Sequence, residues 1–100
     1  MNKGSEPERL LIGAASVPAL PRHIKLRHDS ARDRWMILAP ERVLMPDAIA
    51  LDILHLCDGQ RSVAEIAAAL AGQYAAPQER ILADVMNLLQ DLADKGVVRA

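Results

Sequence analysis

The 100-residue chain carries 12 Lys and Arg against 13 Asp and Glu, with 51% hydrophobic and 25% charged residues. This composition suits one globular domain with a modest core and excludes a disordered polymer. A net charge of −1 offers no bulk attraction for nucleic acid or an anionic membrane, and no run reaches the ~18 to 20 apolar residues of a membrane span.

A single cysteine, Cys57, excludes an internal disulfide framework and points to a reducing, cytoplasmic setting. Phe is absent and Trp35 and Tyr74 are the only large aromatics, so Leu, Ile, Val, Ala and Met must build the core. The stretch from Leu10 to Val17 is a poor signal-peptide core, because Glu6 and Glu8 stand where a basic region belongs.

Residues 1–20 hold Gly4, Ser5, Pro7, Gly13 and Pro18 without periodicity, which predicts a flexible tail or linker before a domain over residues 21–100. From His23 to His28 apolar and basic residues alternate, with Ile24 and Leu26 on one face and Lys25 and Arg27 on the other, so a half-buried strand is expected. Asp29, Ser30 and Asp33 mark a turn. Trp35 and Ile37 then share one face of a second, doubly apolar strand, opposite Met36 and Leu38. Pro40 suits a β-turn that reverses the chain into Arg42–Met45. The expected result is an antiparallel meander with the second strand in the middle.

Three helices follow. Asp47 is the N-cap of the first, which runs to about Cys57, buries Ile49, Ile53, Leu54 and Leu56, and stops at Gly59. Ser62 and Glu65 form a capping box before a second helix with the stripe Val63, Ile66, Ala67 and Leu70. Pro77 opens a longer third helix that ends at Lys95-Gly96, with Ile81, Val85, Leu88, Leu89 and Leu92 as its core stripe. The fold class is α+β, a three-stranded antiparallel meander followed by a three-helix cluster, winged-helix-like.

No chemistry emerges from the residues. The three histidines and Cys57 lack metal-ligand spacing, so neither a metal nor another cofactor is expected. Cys57 lies in an apolar run beside Asp58, which suits a buried small hydrophobe and not a thiolate. Gly59 and Gly72 are isolated, so no phosphate loop exists. The expectation is therefore a non-enzyme. A winged-helix DNA-binding regulator is the alternative, weakened by the acidic residues Glu79, Asp84 and Asp91 on the would-be reading helix. Protein recognition is favoured. Lys25 and Arg27 guard the first strand, whereas Arg42, Val43, Leu44 and Met45 form an edge with one charge at its start, suited equally to addition of an extended peptide strand and to cover by the chain's own tail or a helix.

The chain also resembles the D-protein family (PqqD) of pyrroloquinoline quinone (PQQ) biosynthesis. The resemblance rests on Pro21-Arg22, Trp35, Leu38-Ala-Pro-Glu-Arg42, Leu56-Cys-Asp-Gly59, Val63-Ala-Glu-Ile66, Ala83-Asp-Val85, Leu89-Gln-Asp-Leu92 and Lys95-Gly96, and covers about residues 21–99. It implies a non-catalytic peptide chaperone, of the kind that serves as the recognition element for ribosomally made, modified peptides. Such a protein binds a precursor peptide (PqqA) and presents it to a radical S-adenosylmethionine enzyme (PqqE). It further implies that the peptide lies beside Arg42, Val43, Leu44 and Met45 and packs against Leu82, Val85, Met86 or Leu89 of the third helix. Fusion to another pathway protein occurs in some members, which would make residues 1–20 a linker. A monomer is expected, with a domain-swapped dimer as the alternative that an exposed apolar strand and a long terminal helix allow. If the Leu44 N–H faces outward, Leu44→Pro should abolish binding.

Overall fold

The structure, a computed structural model, describes residues 9–100. Three strands, β1 (Lys25–Asp29), β2 (Arg34–Ala39) and β3 (Arg42–Leu44), precede three helices, α1 (Ala48–His55), α2 (Val63–Tyr74) and α3 (Gln78–Asp94). The sheet order is β1-β2-β3 with both pairs antiparallel, so β2 is central and β3 is an edge. The α+β layout read from the sequence is the one observed. No helix among the described residues is long and apolar enough to cross a membrane.

The core is aliphatic. Ile37 from β2, Ile53 and Leu54 from α1, Val63, Ile66, Ala67 and Leu70 from α2, and Val85, Leu89 and Leu92 from α3 are all buried. Each large side chain sequestered this way contributes roughly 1.5–3 kcal/mol relative to exposure. Val97 and Val98 close the core behind α3.

Local signals in the chain account for most helix ends. The Asp47 carboxylate accepts the Ala50 N–H at 2.8 Å. Ser62 and Glu65 make both bonds of the capping box, at 3.1 and 2.7 Å. Gly59 takes a left-handed φ of 78° after α1, where a side chain would be strained. The end of α2 falls between Gly72 and Ala76. Gly72 lies within α2, and the left-handed C-cap is Ala75, with φ 53°. An L-residue with a Cβ pays about 1–2 kcal/mol in that conformation. Ala75→Gly should therefore raise unfolding stability by roughly 0.5–1 kcal/mol. Thermal or denaturant unfolding checks it.

Ile49 is a correction. Expected in the core, it is 56% exposed, because α1 is phased by its cap to bury Ala50, Ile53 and Leu54. Ile49 lies one turn before Ile53 at the rim of a cleft shared with Tyr74 of α2 and Ile81 of α3, which leaves its side chain partly open. Leu56, expected beside it, is the half-buried C-cap.

The segment before the sheet also differs from a free tail over its described part. Residues 1–8 of the expected tail lie outside the described residues. Beyond them, the carbonyls of Ser16 and Ala14 accept the Val63 and Ala64 N–H groups at 2.8 and 3.0 Å. Those amides open α2 and have no partner within the helix. Ala19 exchanges two 2.8 Å backbone bonds with Arg99, and Ile12 is buried with its N–H bonded to the Gln90 side chain at 2.9 Å. At the start of this arm, Arg9 forms a two-pronged pair with Asp94, at 2.9 and 2.8 Å. That pair, with help from Gln90, holds the Asp94 carboxyl below its usual range. Its contribution to docking the arm is therefore present above a normal carboxylate pKa of about 4 and is lost as the pH falls through the lowered value. Amide resonances of residues 9–12 should move toward undocked positions in that acidic window, and Arg9→Ala should remove the step. The pair is solvent-exposed, so a modest effect is expected.

Candidate functional site

The β2–β3 register sets which backbone groups of β3 are free. Ala39 pairs with Arg42 across the two-residue Pro40-Glu41 turn, followed by Leu38 with Val43 and Ile37 with Leu44. The pair closing a two-residue loop exchanges both hydrogen bonds, and such pairs alternate with non-bonded ones along an antiparallel ladder. Arg42 and Leu44 therefore spend their N–H and C=O groups on β2. Val43 points both of its groups outward, and the Met45 N–H, two residues on, points the same way. This corrects the proviso about Leu44: its amide faces the sheet, and Val43 is the residue with the free donor.

Side chains alternate oppositely. Leu44 shares the inner face with buried Ile37, while Val43 and Met45 are 53% and 55% exposed. Arg42 is anchored, with its guanidinium donating to the Lys95 carbonyl at 2.6 Å, which ties the start of β3 to the end of α3.

Between that edge and α3 runs an apolar cleft of ≈ 230 Å³, floored by Ile37, Leu44, Leu88 and Leu92 and flanked by Met45 and Lys95. A second cleft of ≈ 230 Å³ lies further along α3, where Ile49 of α1, Tyr74 of α2, and Ile81 and Arg80 of α3 converge. The two clefts share the α1 and α3 walls. Among the described residues, and apart from Leu10, Leu11 and Val17 in the N-terminal arm, the exposed large hydrophobic side chains are Val43, Met45, Ile49 and Tyr74. Met45 flanks the first cleft, Ile49 and Tyr74 line the second, and the Val43 side chain points to the outer face of the sheet, whereas a larger and more polar notch, lined by His23, Glu41 and Gly96, opens past Arg42.

The helical phase of α3 explains which of its residues reach the cleft. At about 100° per residue, Leu88, Leu92 and the C-cap Lys95 fall within roughly 60° of one another and line the cleft beside β3, while Ile81 shares their phase but lies further along α3, in the second cleft. Val85 and Leu89 lie deeper, at 1% and 0% exposure, so these two expected contact residues belong to the core. Leu82 and Met86 fall on the opposite flank with Gln90, whose side chain bonds Ile12 and Leu10 of the arm. Of the expected residues, Leu44 and Met45 line the first cleft with Leu88 and Leu92, Val43 offers its backbone at the edge, Arg42 is held by Lys95, Val85 reaches the floor of the second cleft, and Leu82, Met86 and Leu89 line neither. The signal for Leu88 was present in the sequence, as a residue at the margin of the α3 stripe.

Other polar groups are structural. The Cys57 thiol donates to the Ile53 carbonyl at 3.3 Å, and burial, followed by neighbouring Asp58, pushes its pKa up to about 12, which keeps it an inert thiol. The Tyr74 hydroxyl donates to Asp52, which clips α2 to α1 and raises the phenol pKa. Trp35 is half-buried between the His28 and His55 rings, each with its centroid 5.0 Å away. Among the described residues no cluster of three His, Cys, Asp or Glu could hold a metal ion.

Comparison with known proteins gives concordant matches. Residues 34–98 match the family model of coenzyme PQQ synthesis protein D (PqqD). The PqqA binding protein of Bradyrhizobium diazoefficiens is 57% identical over 90 residues, spanning 90% of this chain and 87% of that protein. The PqqA binding protein of Xanthomonas euvesicatoria is 45% identical over 84% of this chain and 91% of its own length. The solution structure of the PqqD truncation of Methylobacterium extorquens PqqCD, a stand-alone recognition element for ribosomally synthesized and post-translationally modified peptides, superposes with a TM-score of 0.77. It is 38% identical, with 89% of this chain and 95% of that one covered. The crystal structure of PqqD from Xanthomonas campestris has a TM-score of 0.57 at 43% identity, over 89% and 99% of the two chains.

Proposed function

Because the chain belongs to the PqqD family, we propose that it is a peptide chaperone of PQQ biosynthesis that binds the PqqA precursor along β3 and presents it to the radical S-adenosylmethionine enzyme PqqE. The observation that carries the strand-addition part is the outward backbone of Val43 beside the Leu44–Leu88–Leu92 cleft. An extended peptide finds a hydrogen-bonding template and an apolar trough side by side.

Magnitudes assign different work to the two. β3 is three residues long, and its free groups at Val43 and Met45 allow about three ladder bonds, each worth roughly 0.5–1.5 kcal/mol net. A complex of even micromolar affinity needs about 8 kcal/mol. The ladder therefore sets direction and register, while apolar side chains pressed into the cleft supply most of the affinity. Binding turns a free chain into a held one, and the gain for PqqE is a raised effective concentration of its substrate.

DNA binding is disfavoured by charge. The exposed residues Glu79, Asp84 and Asp91 of α3 would face phosphates if that helix entered a groove. Calorimetric titration with synthetic PqqA tests the reading. A saturable 1:1 isotherm with a negative heat-capacity change is expected, as apolar burial requires. Absence of binding by the folded protein would overturn it.

A further inference from the structure

Resting on the reading that a bound peptide is handed to a larger enzyme, we propose that the outer face of the sheet is a second docking surface, separate from the peptide cleft, for an acidic surface of that enzyme. The register lays out this face in rows, with Lys25 beside Leu38 and Val43, Arg27 beside Met36, and Asp29 beside Arg34. Their neighbours Leu26, Ile37 and Leu44 point the other way, toward the core. Lys25, Arg27, Arg34 and Val43 are exposed, and Met36 and Leu38 are half-buried.

The charges here are uncommitted. Among the described residues, Lys25, Arg27 and Arg34 have no carboxylate within ion-pair distance. The one carboxylate on the face, Asp29, is occupied by the Ala31 N–H at 3.1 Å and by Arg32 at 3.9 Å. Residues 22–42 hold six Lys and Arg against three Asp and Glu, in a chain whose total charge is −1. The protein is thus divided into a basic sheet and an acidic remainder. Lys25 and Arg27 also shield the β1 edge from stray pairing. That role does not extend to Arg34, which lies on the central strand.

The mixture of residues selects the partner class. Met36, Leu38 and Val43 form an apolar centre with cations around it, the arrangement of a protein interface with a dry core and a charged rim. A phosphate backbone rewards cations and gains nothing from that centre, and the aromatic Trp35, which a nucleobase could stack on, faces inward beside His55. The position also suits delivery. A peptide strand added beyond β3 extends this same sheet, so a protein docked on the outer face meets the outward side chains of the peptide.

The test uses the full chain with both Lys25→Glu and Arg27→Glu, with Lys25→Gln and Arg27→Gln as the milder pair should the first fail to fold. Peptide affinity and affinity of the peptide-loaded protein for PqqE are measured at low and high salt. The proposal expects peptide affinity to stay within about twofold, while enzyme affinity falls about tenfold or more at low salt and converges with wild type at high salt. Unchanged enzyme affinity in the charge-reversed or the neutral pair overturns it, as does an equal loss of peptide binding in a folded variant. Retardation of duplex DNA by the wild type that the variant abolishes would make the face a phosphate binder and also overturns it. Failure of the wild type to bind peptide at all is a separate result, which strikes at the peptide reading.

Discussion

Val43→Pro is expected to weaken precursor-peptide binding by about 10- to 100-fold while leaving the domain folded. Proline removes the outward N–H of the edge strand, so a carbonyl of the incoming peptide is buried without a donor, at a cost of roughly 1–3 kcal/mol. The domain itself loses nothing from its ladder, because the register leaves the Val43 amide unpaired with β2. Edge positions whose N–H faces solvent are where strands tolerate proline. Leu44→Pro makes the contrast. The Leu44 amide bonds Ile37, so the same substitution one residue on should detach β3 and lower stability by about 3 kcal/mol, with binding lost as a consequence. Paired calorimetry and thermal unfolding separate the two outcomes. Equal behaviour of the two variants would mean that the register is shifted by one.

The second large effect divides α3. Leu89 is 0% exposed and central to the core, so Leu89→Ala should cost about 2–5 kcal/mol of stability through the cavity it leaves. For a domain of this size that lowers the melting temperature by roughly 10 °C or more. Leu88, its neighbour in sequence, is half-buried in the floor of the cleft. Leu88→Ala should cost much less stability, about 1 kcal/mol, and should instead weaken the peptide several-fold by removing apolar contact. The expected pattern is therefore a crossed one, with Leu89→Ala read in unfolding and Leu88→Ala read in binding. Peptide affinity that depends on Leu89 at full folding, and not on Leu88, would reverse the assignment of faces.

This pair also shows how far the sequence alone reaches. The fold was legible because local signals agreed with one another. The basic–apolar alternation of β1, the Pro40 turn, the Asp47 cap and the Ser62–Glu65 box each named an element that the structure contains. The edge was legible too, since a meander has two edge strands and Lys25 and Arg27 mark one of them. Two finer properties were not. The stripe of α3 is broad, and only the positions of β3 and the N-terminal arm decide which flank faces a cleft and which is covered. Hydrogen-bond parity along β3 depends on the loop being exactly two residues long, so Leu44 and Val43 could not be distinguished beforehand. The arm itself carries no periodicity. It docks by lending carbonyls from Ala14 and Ser16 to α2, which leaves no pattern in its side chains.

The family to which the chain belongs is one of binding proteins and not of enzymes, and the side chains of this protein are arranged accordingly. Cys57 is a buried thiol, Tyr74 is a clip between helices, and among the described residues an edge strand and an apolar trough stand open beside each other. An adaptor of this kind acts by where it holds the peptide, so placement is the claim to test. The most direct measurement is a site-resolved amide chemical-shift titration of labelled protein with PqqA. Strand addition at β3 predicts the largest changes at residues 42–46, led by Val43 and Met45, at Leu88 and Leu92 of α3, and at its C-cap Lys95. Changes centred on β1, or on the Leu82, Met86 and Gln90 flank, would contradict it.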